Sequence, residues 1–135
     1  NVRISRAADA PRVLERLQAC AAPINARDGF RLELTGQFNR LPMETSPVSD
    51  RLFHAWLQCA GDVGARAFSR THVGGGSDGN LLAAAGLPCL DGLGAVGGHL
   101  HSAEEYIQRS SLSERARVAA RFLSAMKPGT IVIGP

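Results

Sequence analysis

Four side chains of ligand or acid–base type crowd one short stretch: His99, His101, Glu104 and Glu105. Imidazole is the most frequent protein ligand for zinc, and neighbouring carboxylates orient or bridge such ligands. His101 is the single best candidate, because it follows Gly97-Gly98 and precedes the two glutamates. His99 lies two positions away, so an extended segment would turn both rings to one side as a chelating pair. A catalytic zinc takes three protein ligands plus water, so one histidine does not make a site. The ordinary alternative for a lone loop histidine is a solvated residue.

The second chemical feature is Gly74-Gly75-Gly76-Ser77-Asp78. Glycines ahead of a helix start leave backbone N–H groups free to meet an anion or a carbonyl oxygen. Neither a Gly-Lys-Ser/Thr phosphate loop nor G-x-G-x-x-G occurs here, which weakens a nucleotide reading. A tight turn that needs positive φ is the equal alternative. The third feature is Arg3, between Val2 and Ile4. A guanidinium there can bind a substrate carboxylate with two parallel hydrogen bonds, or simply be solvated. His72 precedes the glycine turn, and His54 reads as a helix-surface residue.

The elements that position these groups follow from periodicity. Val2-Arg3-Ile4 reads as a strand. Asp9 is placed to cap a helix, with Pro11 in its first turn and Val13, Leu14, Leu17, Cys20 and Ala21 on one face. Pro23 and 25–29 end it. Phe30, Leu32 and Leu34 alternate with Arg31 and Glu33, the pattern of a half-buried strand. Ser46 caps a second helix with Pro47 at its first position, and Leu52, Phe53, Trp56, Leu57 and Ala60 form its stripe. Arg66 to Arg70 reads as a strand. Ser77 caps a short helix closed by Gly86, with Pro88 beyond. Pro88 to Leu93 reads as a buried strand. Ser111-Leu112-Ser113-Glu114 fits a capping box opening a helix whose face is Leu112, Ala116, Ala119, Phe122, Leu123 and Met126. Ile131-Val132-Ile133 reads as a final strand. Strands alternating with helices argue an α/β fold, with the connector from Pro42 to Pro47 as the boundary between two substructures.

Composition narrows the partners. The 135 residues allow one domain or pieces of two, and hydrophobic residues make up 44%. Net charge is +3, and the arginines are spread without aromatic interleaving. That argues against nucleic acid. No run of about 18 apolar residues is present to span a membrane. Cys20, Cys59 and Cys89 lack C-x-x-C spacing, so each is expected to be a small buried apolar residue. No signal peptide is evident, so a cytoplasmic location is expected, or a periplasmic one if a leader precedes Asn1. With no initiator methionine, the chain reads as part of something longer.

Asn1-Val2-Arg3, Gly74-Gly75-Gly76-Ser77-Asp78, Pro88-x-Leu90-x-x-Leu93-Gly94 and His101-x-x-x-Glu105-Tyr106 occur in this order. Together they resemble the C-terminal portion of the di-zinc amidohydrolase family of glutamate carboxypeptidase, acetylornithine deacetylase and succinyl-diaminopimelate desuccinylase. The glutamate carboxypeptidase branch is the most similar. The resemblance implies that 1–40 is the end of an inserted lid and dimerisation domain. It implies that 41–135 is the C-terminal half of an α/β catalytic domain. It places His101 on the last zinc ligand, Arg3 on the lid arginine that holds a free carboxylate, and Gly75 and Gly76 along the substrate. It implies two zinc ions in the complete enzyme, with cobalt or manganese as substitutes, and a homodimer. The family's other ligands and its general base lie in an N-terminal half to which no residue here corresponds. The resemblance therefore implies a hydrolase of amides next to a free carboxylate, with no catalytic residue in this chain and no activity of the chain alone. The alternative is a non-catalytic dimerisation or binding module.

Overall fold

The computed structural model describes residues 2–126. Asn1 and the expected strand Ile131-Val132-Ile133 lie outside the described residues. Two compact units divide the chain, Asn1–Glu44 with Gly74–Ala85, and Thr45–Val73 with Gly86–Pro135.

In the first unit a 3-10 turn, Ala7–Asp9, leads into α1, Ala10–Asn25. Val13, Leu14, Leu17 and Ala21 are its less exposed positions, as the spacing predicts. Asp9 does not cap α1. Its backbone is helical and its carboxylate accepts hydrogen bonds from Arg6 at 3.0 Å and Arg12 at 2.9 Å. Those two guanidinium bonds hold the Asp9 carboxyl at about 2, below its usual 3.8. Pro23 does not end α1 either. It sits in the last turn, where its missing N–H removes a single bond, to the Ala19 carbonyl, and the helix ends two residues on. Cys20 is exposed rather than buried, although it shares the face of Val13 and Leu17; Cys59 is buried and Cys89 is intermediate. Later in this unit, α3 spans Asp78–Ala84 with Ser77 as N-cap, and Gly86 follows it at φ +87. That left-handed glycine is the expected stop.

The second unit is built on α2, Pro47–Asp62, and α4, Arg109–Ala125. Ser46 and Ser49 form a reciprocal cap at the start of α2. Trp56 and Ala60 of α2 meet Val118 of α4, with Phe68, Leu90, Leu93 and Phe122 packed around them. The Trp56 and Phe122 rings meet at a tilt of 59°, with centres 5.3 Å apart. Val118 is fully buried, a burial worth roughly 1.5–3 kcal/mol. Arg121 pairs with Asp62 at 2.7 Å on the surface of the same helix pair.

The capping box at Ser111 does not form. Helix α4 starts two residues earlier, and buried Ser111 donates to the Gln108 carbonyl at 2.6 Å and accepts from the Val96 N–H at 2.9 Å. Fixing Ser111 inward turns the helix, so Val118 is buried while Leu112 and Leu123 are 50% and 66% exposed.

Four expected strands, Val2 to Ile4, Phe30 to Leu34, Arg66 to Arg70 and Pro88 to Leu93, carry no ladder among the described residues. Alternation marks which face a run would bury; a strand also needs a neighbour to pair with. The sheet that forms is one the alternation did not mark. Antiparallel β1, Gly97–Gly98, pairs with β2, Tyr106–Ile107, in the register Gly97↔Ile107 and Gly98↔Tyr106. The described residues are thus mixed helix and antiparallel sheet, compatible with the α/β class.

Candidate functional site

The first unit holds the glycine turn. Its far end is fastened by the cap of α3: the Ser77 N–H donates to the Asn80 side chain at 2.9 Å, and the Gly79 N–H donates to Ser77 Oγ at 3.1 Å. Asn80 in turn donates to the Leu41 carbonyl at 2.9 Å. Gly74, Gly75 and Gly76 have no positive φ, so the turn does not require glycine for its conformation. Space does not require it either. A Cβ on Gly75 would meet nothing within 4 Å, and one on Gly76 would touch only the Arg40 stem at 3.7 Å. No hydrogen bond among the described residues takes the N–H of any of the three. With seven residues, α3 is too short for its N-terminus to count as an anion site.

Arg3 lies beside this turn. Its Cδ and Nη1 are each 3.9 Å from where a Gly74 Cβ would stand. Arg40, which sequence reasoning passed over, flanks the other end of the turn and reaches Asp78 at 3.4 Å. No periodic pattern announces Arg40. Its one signal is position, just ahead of the Pro42–Pro47 connector. The first unit also carries a shallow cleft lined by Ala7, Leu41, Pro42, Glu44, Ala83 and Ala84. Its carboxylate is engaged, since Glu44 accepts the Ala7 N–H at 2.7 Å.

His101 belongs to the second unit, on the loop that joins β1 to β2. The segment is not extended, so His99 and His101 do not form an alternating pair. Both adopt left-handed backbone, at φ 55 and φ 65. Such conformations in non-glycine residues are uncommon and cluster at functional sites. The His99 ring packs edge-on against Tyr106 with centres 5.7 Å apart. The Glu105 carboxylate accepts the His101 N–H at 3.2 Å, and Ser102 Oγ donates to the His99 carbonyl at 2.7 Å. Ser111 fastens the base of this hairpin, and the Gln108 N–H donates to the Val96 carbonyl at 2.8 Å. His54 is exposed on α2, and His72 is exposed ahead of the glycine turn.

Gly97 shows how closely this loop is set. A Cβ there would run into the Tyr106 carbonyl oxygen. Gly97→Ala is expected to disrupt the hairpin and lower stability by about 1–3 kcal/mol, the usual cost of overpacking. Urea unfolding of the variant checks this; an unchanged midpoint would contradict the pairing.

Among the described residues, no three His, Cys, Asp or Glu side chains come together to hold a metal ion. His101 has the chemistry of one ligand on an exposed loop. The described residues do not by themselves fit a whole metal centre.

Residues 8–125 match the peptidase family M20/M25/M40, and the chain belongs to that family. The family's peptidases are generally metal-dependent hydrolases. Searches among curated proteins and solved structures give no match.

Proposed function

We propose that this chain forms the carboxylate-binding part of a metal-dependent aminoacyl carboxypeptidase or deacylase of the family. The reaction is hydrolysis of an amide next to a free carboxylate: water adds to the carbonyl carbon, the C–N bond breaks, and the leaving amine takes a proton. Arg3 holds the carboxylate, and the Gly75 and Gly76 N–H groups line the substrate backbone. His101 supplies one zinc ligand, with cobalt or manganese as substitutes, to a centre of two ions completed by residues outside this chain. The branch is that of glutamate carboxypeptidase, with 1–40 closing a lid and 41–135 belonging to the catalytic domain. The protein works in the cytoplasm and self-associates as a homodimer.

One observation carries this reading. Three consecutive glycines occur in a row, Gly74 beside Arg3 and Gly76 beside Arg40, although neither φ nor crowding calls for them. Each glycine costs folding entropy, about 0.5–1 kcal/mol against alanine in a regular element. Bare backbone beside a guanidinium suits close approach by a carboxylate-bearing ligand.

The test is hydrolysis of an N-acyl amino acid by the full-length protein. Turnover is expected, lost with a chelator and restored by zinc, while the 135-residue chain alone shows none. Metal-dependent turnover by the 135 residues would overturn the assignment of the remaining ligands and base elsewhere.

A further inference from the structure

Three aspartates precede a glycine: Asp28-Gly29, Asp78-Gly79 and Asp91-Gly92. At such a pair the glycine nitrogen, with no side chain beside it, can close on the carboxyl carbon of the aspartate. The fold decides which pair does so, because ring closure needs the nitrogen held against that carbon. Asp78 opens α3, where the Gly79 N–H donates to Ser77 Oγ at 3.1 Å and the carboxylate meets Arg40 at 3.4 Å. Asp28 lies on the exposed turn after α1. Among the described residues, the one pair whose glycine N–H meets the preceding carboxylate is Asp91–Gly92, at 2.7 Å from nitrogen to Oδ1. That oxygen is bonded to Cγ, so the nitrogen is held close to the carbon it would attack. Both residues are exposed, Gly92 is left-handed at φ 69, and nothing stands within 4 Å of the place of its Cβ. The closing ring and water therefore have room.

The chemistry needs water alone. The Gly92 nitrogen adds to Cγ of the protonated Asp91 carboxyl. The N–Cγ bond forms, a Cγ–O bond breaks, and the hydroxyl leaves as water with the amide hydrogen. Water then opens the five-membered imide. Attack at Cγ restores aspartate. Attack at the former backbone carbonyl breaks its C–N bond and leaves isoaspartate, with the main chain running through Cβ and Cγ. Leu90 and Leu93 flank the pair, and both pack on Trp56, Ala60 and Val118. Isoaspartate lengthens the main chain between them by one carbon, and a close-packed core does not absorb such a change without loss.

We propose that Asp91–Gly92 is a site of spontaneous isomerisation in the folded protein, and that its product loosens Leu90 and Leu93 from the core. The full-length protein is aged in warm neutral buffer, digested with trypsin, and read by electron-transfer fragmentation, which tells isoaspartate from aspartate. Isoaspartate is expected to build up faster at position 91 than at 28 or 78. In a sample aged in urea the three positions are expected to convert alike. Native Asp91 converting no faster than the other two overturns the proposed site. The aged native protein is expected to gain a second, lower melting transition. Asp91→Glu, whose longer side chain does not close the five-membered ring, is expected to keep one transition on ageing. Converted protein that melts like fresh protein, or a lower transition that appears equally in Asp91→Glu, overturns the loosening.

Discussion

Replacing His101 by alanine is expected to lower turnover in the full-length protein by more than about a hundredfold. Residues that merely support a metal ligand cost about 10–100-fold when changed, so a ligand itself should cost more. The backbone complicates the alanine variant. His101 holds φ 65, a left-handed backbone that histidine and asparagine adopt more readily than alanine. His101→Asn therefore keeps the loop and removes the imidazole. Both variants should lose metal on dialysis, by atomic emission, with near-native circular dichroism. Full metal content in His101→Asn would reject the assignment.

The second large effect is at Arg3. A hydrogen bond to a charged group contributes about 1.5–3 kcal/mol, so Arg3→Ala should raise KM for a carboxylate substrate roughly 10–150-fold. The loss should fall on KM rather than kcat, because the carboxylate is held alike in ground and transition states. Neutral analogues should change little. Arg3→Lys should recover only part, since an ammonium lacks the two-pronged geometry. Gly75→Ala makes a useful companion. With ordinary φ and open space at that position, the fold should hold or gain about 0.4–1 kcal/mol, while binding weakens. A variant that is more stable yet binds worse marks a position kept bare for a ligand.

Helices α1, α2 and α3 were readable because their signals are local. Ser46 and Ser77 cap as expected, Pro47 opens α2 and Gly86 closes α3. The face of α4 was legible in part: Ala119 and Phe122 pack on the core as expected, but Leu112 and Leu123 are exposed, because Ser111 faces inward to the Val96 amide rather than capping, a bond no periodicity displays. The runs expected to be strands were apolar at the right period, but pairing is a non-local property. Phe30 to Leu34 finds an asparagine side chain where a neighbouring strand was expected. In the candidate site, residue types were legible and partners were not. Arg3 and Gly74 lie far apart in sequence, and Arg40 carries no mark of its place beside Gly76. The left-handed backbone of His101 depends on the β1–β2 hairpin, which two glycines and a tyrosine hardly announce.

The central claim is that Arg3 and the glycine turn seat a free carboxylate. Its most direct measurement follows the Gly74, Gly75 and Gly76 amides by 15N NMR during titration with an N-acyl amino acid and with the corresponding carboxamide. The predicted result is saturable shifts with the acid, none with the carboxamide, and none with either in Arg3→Ala. Equal shifts from both compounds, or shifts with the acid that survive Arg3→Ala, would contradict the account.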